Sequence, residues 1–137
     1  MNVIGLNGRS YKITFIRQQN NRFAENKSSL HLFARQLLLE VYPGYCFYEE
    51  IYLPGCKNKL YLDFLSPQLR LGCEIQGEQH TRHIHHFHAT KKDFLLAQSR
   101  DRLKKEWATT NQIDLIELRY DDQDNWANLL RNYSDNG

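Results

Sequence analysis

The sequence contains little cysteine, and its charges nearly balance. Its 137 residues include three cysteines, Cys46, Cys56 and Cys73, and two of these lie in apolar, strand-like surroundings. An odd number of cysteines in such positions favours buried thiols over a disulfide framework. The formal net charge of +2 is too small to indicate nucleic-acid binding by itself, so any basic surface must be local.

Long hydrophobic runs are also missing. Residues 1–10 contain neither a basic leader segment nor a long apolar one, and no run of about 18 apolar residues follows that could span a bilayer. We therefore expect a cytoplasmic protein with no membrane partner. The apolar share of 41% and the charged share of 25% are ordinary for a globular protein, and the length predicts one domain over residues 1–137.

The most informative stretch is residues 60–80, which have the pattern of a β-hairpin followed by a histidine. The first part, residues 59–65, alternates between apolar and polar positions, which predicts a strand with Asp63 on its polar face. The apolar face of this strand is predicted to consist of Leu60, Leu62 and Phe64.

A second alternating run, residues 71–76, follows a Ser-Pro-Gln turn. If the two runs pair as antiparallel strands, Asp63 lies opposite Cys73 or Glu74, and burial of one face must enforce that register. A glycine then ends the strand, and His80 follows it. One face of the second strand is predicted to consist of Leu71, Cys73 and Ile75, and the opposite face of Gly72, Glu74 and Gln76.

Turn and cap signals divide the rest of the chain. Asn7-Gly8 predicts a two-residue hairpin turn within residues 1–16, and the polar residues 17–26 predict an exposed connector. Ser28 or Ser29 can cap a helix that runs to about Val41 on an apolar stripe. The order of elements predicts an α/β fold, a mixed β-sheet flanked by helices. The remaining predicted elements are a strand at 46–53, a helix at 91–109, a strand at 113–118 and a short helix within 121–137.

The long helix is predicted to carry two apolar stripes, and Asp101 lies in one of them. An unpaired carboxylate in an apolar stripe costs several kcal/mol, so Asp101 is expected to have a partner; a histidine or a metal ion would serve, and pairing with Arg35 or Lys105 is the alternative. One stripe consists of Leu96, Leu103 and Trp107, and the other of Phe94, Ala97, Asp101 and Ala108. The densest basic cluster of the chain surrounds the aspartate and consists of Arg100, Arg102, Lys104 and Lys105.

Asp63, the segment from Glu74 to His80 and the Arg100-Asp101 pair together resemble the EDxHD homing endonucleases, which are encoded as free-standing phage genes or inside introns. These enzymes share the fold of the very-short-patch repair endonuclease, a branch of the PD-(D/E)XK nucleases. The resemblance covers about residues 28–120. It implies a nuclease core at residues 27–120 and, for a phage-encoded protein, action in the cytoplasm of the host cell.

The resemblance also implies roles for individual residues. Asp63 is implied to bind the metal, His80 to act as general base and Asp101 to orient His80. Glu74 and Gln76 stand where a PD-(D/E)XK nuclease has its Glu-x-Lys, so glutamine replaces the lysine and the histidine is implied to handle the proton.

A second departure concerns the first helix. The family's first glutamate falls on His31, which faces Arg35 one turn further along. A histidine at this position can still contact water or phosphate.

The implied reaction is hydrolysis of phosphodiester bonds in double-stranded DNA. It needs a nucleophilic water, a cation to neutralise charge in the transition state and a proton for the leaving oxygen. Asp63 with Glu74, or with the backbone carbonyl beside it, offers the oxygen ligands that suit Mg²⁺, for which Mn²⁺ is expected to substitute. Arg100, Lys104 and Lys105 are the expected DNA contacts.

A histidine cluster within residues 81–92 allows a structural zinc site with Cys56 or Cys73, as very-short-patch relatives carry a structural zinc. The spacing matches no strong zinc signature and no C-x-x-C accompanies it, so a loop without zinc is the preferred interpretation. The cluster consists of His83, His85, His86 and His88.

Two other functions fit the same residues. A mismatch-directed repair nickase uses the same chemistry, and a non-catalytic nucleic-acid-binding or zinc-stabilised module accounts for the histidine at position 31. Cutting both strands with one site per chain suggests a homodimer, for which the stripe of Leu96, Leu103 and Trp107 is a candidate interface.

Overall fold

The computed structural model of the protein describes residues 1–15, 28–77 and 91–136. The predicted connector at 17–26, His80 and the histidine cluster lie outside these residues. The elements, in chain order, are β1 (Asn2–Ile4), β2 (Ser10–Lys12), α1 (Ser29–Val41), β3 (Tyr48–Tyr52), β4 (Tyr61–Ser66), β5 (Leu71–Gln76), α2 (Lys91–Thr110), β6 (Asp114–Arg119), a 3₁₀ helix (Tyr120–Asn125) and α3 (Trp126–Asn136).

Four strands form one mixed sheet in the order β3-β4-β5-β6. Neighbouring strands are antiparallel from β3 to β5, whereas β5 and β6 are parallel because α2 carries the chain across between them. β1 and β2 form a separate antiparallel hairpin. The predicted mixed sheet flanked by helices, with an N-terminal hairpin, is confirmed.

The first helix begins and ends where its cap signals predict. The Ser28 hydroxyl accepts a hydrogen bond from the His31 backbone N–H at 3.1 Å, which satisfies one of the first free donors of α1. At the other end the Tyr42 hydroxyl donates to the Leu130 carbonyl at 2.6 Å and ties α1 to α3. Of the two serines, Ser28 is therefore the cap.

The sheet separates two hydrophobic cores. One core lies between the sheet, α2 and the N-terminal hairpin, and the other lies between the sheet, α1 and α3. Leu65 packs into the first core and Phe64 into the second, as expected for consecutive strand residues. β5 is buried on both faces because helices cover both sides of the sheet.

The face predicted for Phe64 is wrong. Leu60 and Leu62 pack into the core beside α2, whereas Phe64 packs into the core beside α1 and stacks on His31 with ring centroids 4.5 Å apart. The alternation of β4 therefore shifts at Asp63, the residue between Leu62 and Phe64. A strict period of two cannot anticipate such a shift.

The stripe predicted as a dimer interface on α2 is also wrong. Trp107 is fully buried in the same core as Ala108, with Leu103 packed against it, whereas Leu96 is exposed. The two predicted stripes therefore merge into one buried face on the C-terminal half of the helix.

The turn of the N-terminal hairpin differs from the predicted two-residue turn. Val3 pairs with Tyr11, and the Gly5 N–H donates to the Arg9 carbonyl, so the loop between Gly5 and Arg9 has three residues. Gly8 ends it with a φ of 82°, a left-handed conformation that closes three-residue hairpin loops. Compared with a two-residue turn, the pairing of β1 with β2 is shifted by one residue, and Val3 lies in the core.

Asn111 attaches the hairpin to the end of α2. Its side-chain amide accepts from the Ile4 N–H at 2.7 Å and donates to the Ile4 carbonyl at 2.9 Å, as a neighbouring strand would. The same amide donates to the Trp107 carbonyl at 2.9 Å. In the part of the chain that the structure describes, no helix is long and apolar enough to cross a membrane.

Replacing Asn111 with alanine is expected to lower the free energy of unfolding by about 2 kcal/mol, because three hydrogen bonds at a buried position are lost. Urea denaturation followed by circular dichroism measures the change. Thr109→Ala, at an exposed position on the same helix end, is the control. Equal stability of the two variants would show that Asn111 does not hold the hairpin.

Candidate functional site

Asp63 is held against the neighbouring strand by its side chain. The backbone pairs between β4 and β5 include Ser66 with Leu71 and Phe64 with Cys73. One residue before Phe64, the Asp63 Oδ2 accepts a hydrogen bond from the backbone N–H of Ile75 at 2.8 Å. This bond fixes the half-buried carboxylate at the position where β4 shifts its alternation.

Glu74 is the hydrogen-bonding neighbour of Asp63, in agreement with one of the two predicted registers. Burial, followed by the hydrogen bond and the negative charge of Asp63, raises the pKa of Glu74 to about 9. The Lys104 Nζ lies 2.8 Å from the Glu74 Oε1 and favours ionisation, but it does not outweigh these effects. Two strands and α2 thus bring a pair of carboxyl groups and an ammonium group together.

A cleft of about 390 Å³ lies between the end of β5, the middle of α2 and β6. Gln76 and Asp101, two of the predicted site residues, share this cleft. Its surroundings are polar, so Asp101 does not lie in the apolar stripe that the helical pattern predicts. The cleft is lined by Gln76, Gln98, Asp101, Arg102, Lys105, Glu117 and Arg119.

The predicted basic residues point in different directions. Lys104 is turned inward onto Glu74, Lys105 pairs with Glu117 at 2.5 Å beside the cleft, and Arg100 is exposed. The predicted contact between Asp101 and His80 falls outside the described residues.

His31 is buried and is held at its backbone, at its ring face and at one ring nitrogen. The ring stacks on Phe64, and Nε2 lies 2.7 Å from the Glu49 Oε1. Arg35 donates twice to the same carboxylate, from Nε and Nη2, each at 2.7 Å. Burial opposes ionisation of Glu49, but the hydrogen bonds of His31 and Arg35 prevail and lower its pKa. Glu49 is therefore ionised, and His31 donates to it.

Glu50 is the functional candidate that the sequence pattern misses. Its φ is 53°, a left-handed value that is rare for a residue other than glycine. Its carboxylate, one nitrogen of His31 and one oxygen of Asp63 all lie within 4.8 Å of one another. A strand pattern offers no signal for this grouping, since it places Glu49 and Glu50 on opposite faces.

Comparison with known proteins finds relatives of viral origin. The chain is 44% identical over 61 residues to uncharacterized protein 307L of Invertebrate iridescent virus 6, a match that covers 44% of this chain and 31% of the relative. It is 36% identical over 67 residues to uncharacterized protein 033L of Invertebrate iridescent virus 3, covering 49% and 34%. The chain thus matches about a third of the length of these relatives. No family model and no solved structure matches.

Replacing Glu49 with glutamine is expected to lower the free energy of unfolding by about 2 kcal/mol at pH 7, because Arg35 and His31 lose a charged acceptor. Because the folded pKa of Glu49 is lowered, this stabilisation is present above its usual value of 4.5 and is lost as the pH falls through the folded pKa. Denaturation in EDTA between pH 7 and pH 3 measures the difference.

The control for Glu49→Gln is Glu40→Gln, an exposed glutamate on α1. A Glu49→Gln difference that stays constant down to pH 3 would contradict an ionised, paired Glu49.

Replacing Glu50 with glycine is expected to leave the free energy of unfolding unchanged or to raise it by up to about 1 kcal/mol, because glycine adopts a left-handed φ without strain. Lys12→Gly, at an exposed strand position without a positive φ, is the matched control and should cost about 0.5–1 kcal/mol. A loss at Glu50 as large as that at Lys12 would show that the left-handed conformation stores no strain.

Proposed function

We propose that this chain is a metal-dependent DNA endonuclease with a core of the PD-(D/E)XK, very-short-patch repair type, similar to the EDxHD homing endonucleases. The observation that carries the proposal is the convergence of Asp63 and Glu74, from adjacent strands, with Lys104 at 2.8 Å from Glu74. Two carboxyl groups side by side, one buried and one half-buried, cannot both ionise without repulsion, and a positive charge such as the Lys104 ammonium or a metal ion on Asp63 relieves it. The names of the viral relatives state no activity, so the support comes from the site itself.

Asp63 is the proposed metal ligand. One of its oxygens is held by the Ile75 N–H, so the carboxylate is already oriented before a cation binds. When bound, a divalent cation supplies positive charge to the transition state of phosphodiester hydrolysis. The Lys104 ammonium adds a second positive charge next to Glu74.

His80 is the proposed general base and follows Gln76 by four residues. Gln76 and Asp101 line the same polar cleft, and Asp101 is the proposed partner that keeps the imidazole in one tautomer. In this scheme His80 takes the proton of the attacking water. Lys105 and Arg100, on the same helix, contact the DNA backbone.

Incubation of supercoiled plasmid with the protein and Mg²⁺ or Mn²⁺ tests the proposal. The wild type is expected to convert the plasmid to open-circular or linear DNA, whereas Asp63→Ala and His80→Ala should lower the rate about 100-fold or more. Glu106→Ala, an exposed position on α2, is the control and should cleave as the wild type does.

The products separate the related functions. Linear DNA from a plasmid without mismatches indicates a homing-type double-strand cut. Nicking that requires a mismatched duplex indicates the repair nickase. Cleavage that survives both the Asp63 and the His80 substitutions would overturn the proposal. Tight DNA binding with no cleavage in either metal would instead support a non-catalytic module.

A further inference from the structure

We propose that His31, Glu50 and Asp63 form a binding site for one divalent cation of the Mn²⁺ type, in preference to Mg²⁺. Their ligand atoms lie within 4.8 Å of one another. This assignment replaces the pair of Asp63 and Glu74 that the sequence predicts. The cofactor role of the cation rests on the proposed nuclease function, but its binding rests only on the geometry of the three residues.

The surroundings of His31 suit a metal ligand. Its Nε2 donates to Glu49, so in the neutral ring the lone pair is on Nδ1. Histidines that bind metals commonly donate their other ring nitrogen to a carboxylate, which fixes the tautomer and makes the ring a stronger donor. Arg35 holds that carboxylate with two hydrogen bonds, and Phe64 holds the ring plane. The imidazole is therefore oriented in advance.

Glu50 reaches the same imidazole only because β3 is distorted. In a regular strand Glu49 and Glu50 point to opposite faces of the sheet. The left-handed φ of 53° at Glu50 brings its carboxylate near His31 while Glu49 is hydrogen-bonded to that ring. Glu50 is exposed, so burial of its side chain does not explain the strained backbone. Strain of this kind is concentrated at binding and catalytic sites.

Asp63 supplies the third ligand, and Glu74 is a poorer one. Lys104 stands 2.8 Å from the Glu74 Oε1, and its positive charge repels a cation approaching that carboxylate. On the side towards α1, the nearby Arg35 is bound to Glu49. The side of Asp63 towards α1 therefore favours a cation more than the side towards α2.

The donor set indicates the class of metal. One imidazole nitrogen with two carboxylates suits Mn²⁺ and later first-row dications, whereas Mg²⁺ prefers oxygen ligands alone. The site leaves room for water, because Glu50 is exposed and Asp63 is half-buried. We therefore expect Mn²⁺ to bind about 10-fold or more tightly than Mg²⁺.

Titration of the purified protein with Mn²⁺, followed by the electron paramagnetic resonance signal of the unbound ion, measures binding without any activity. The wild type is expected to bind one Mn²⁺, and Glu50→Gln and His31→Gln should weaken binding about 10-fold or more. Glu40→Gln, at an exposed glutamate on α1, is the matched control and should stay within about twofold of the wild type. Because His31 is buried, circular dichroism must show that its variant folds. If the His31 variant does not fold, the variant at the exposed Glu50 decides the test.

Mn²⁺ binding that is absent from the wild type, or unchanged in Glu50→Gln, would overturn the inference. Loss of Mn²⁺ binding in Glu74→Gln alone would show that the metal ligands are Asp63 and Glu74, as the sequence predicts. The two proposals can fail separately. Binding that depends on Glu50 without plasmid cleavage supports this site and refutes the nuclease, whereas cleavage that is unaffected by Glu50→Gln supports the nuclease and refutes this site.

Discussion

The hydrogen bond from the Ile75 backbone to the Asp63 carboxylate is the interaction on which the rest of the site depends. It places a charged side chain between two strands, at the point where β4 changes the face to which its apolar residues point. Asp63 therefore lies close to polar groups on both sides of the sheet. Towards α2 it meets Glu74, and towards α1 it lies near His31.

The two sides differ in how the negative charge is balanced. Beside α2, Glu74 is buried and its pKa is raised to about 9, so it keeps its proton at neutral pH with the Lys104 ammonium beside it. Beside α1, Glu49 is ionised, and Arg35 with His31 surrounds it. Glu50 adds a further, exposed carboxylate there. An added cation would be held on that side by the carboxylates of Asp63 and Glu50 together with His31.

Local sequence signals predicted much of the fold. The cap at Ser28 and the apolar stripe identify α1, and the alternation of residues 71–76 identifies β5 with its bounds as observed. The neighbouring positions of Asp63 and Glu74 follow from pairing these strands about a short turn. These features depend on interactions between residues close in sequence, so a pattern can reveal them.

The parts that the sequence could not predict depend on backbone distortions and long-range contacts. The helical pattern of α2 does not show which side of Trp107 the sheet will cover, and no local pattern joins Lys104 to a glutamate thirty residues earlier. The left-handed Glu50 is invisible to strand propensities, which assume an extended backbone. The shift at Asp63 was missed for the same reason.

The distortion at Glu50 is more readily explained by binding than by folding. A non-glycine residue in a left-handed conformation costs on the order of 1–3 kcal/mol, a large share of the roughly 5–15 kcal/mol that stabilises a typical domain. Ile51, the next residue, is buried in the core and β3 resumes its pairing with β4 there, so the strand is not frayed at this point. Glycine or asparagine at position 50 would relieve the strain without loss of packing, because the side chain is exposed. Glutamate at this position contributes a carboxylate that the alternatives lack, and that carboxylate faces an oriented histidine and an oriented aspartate.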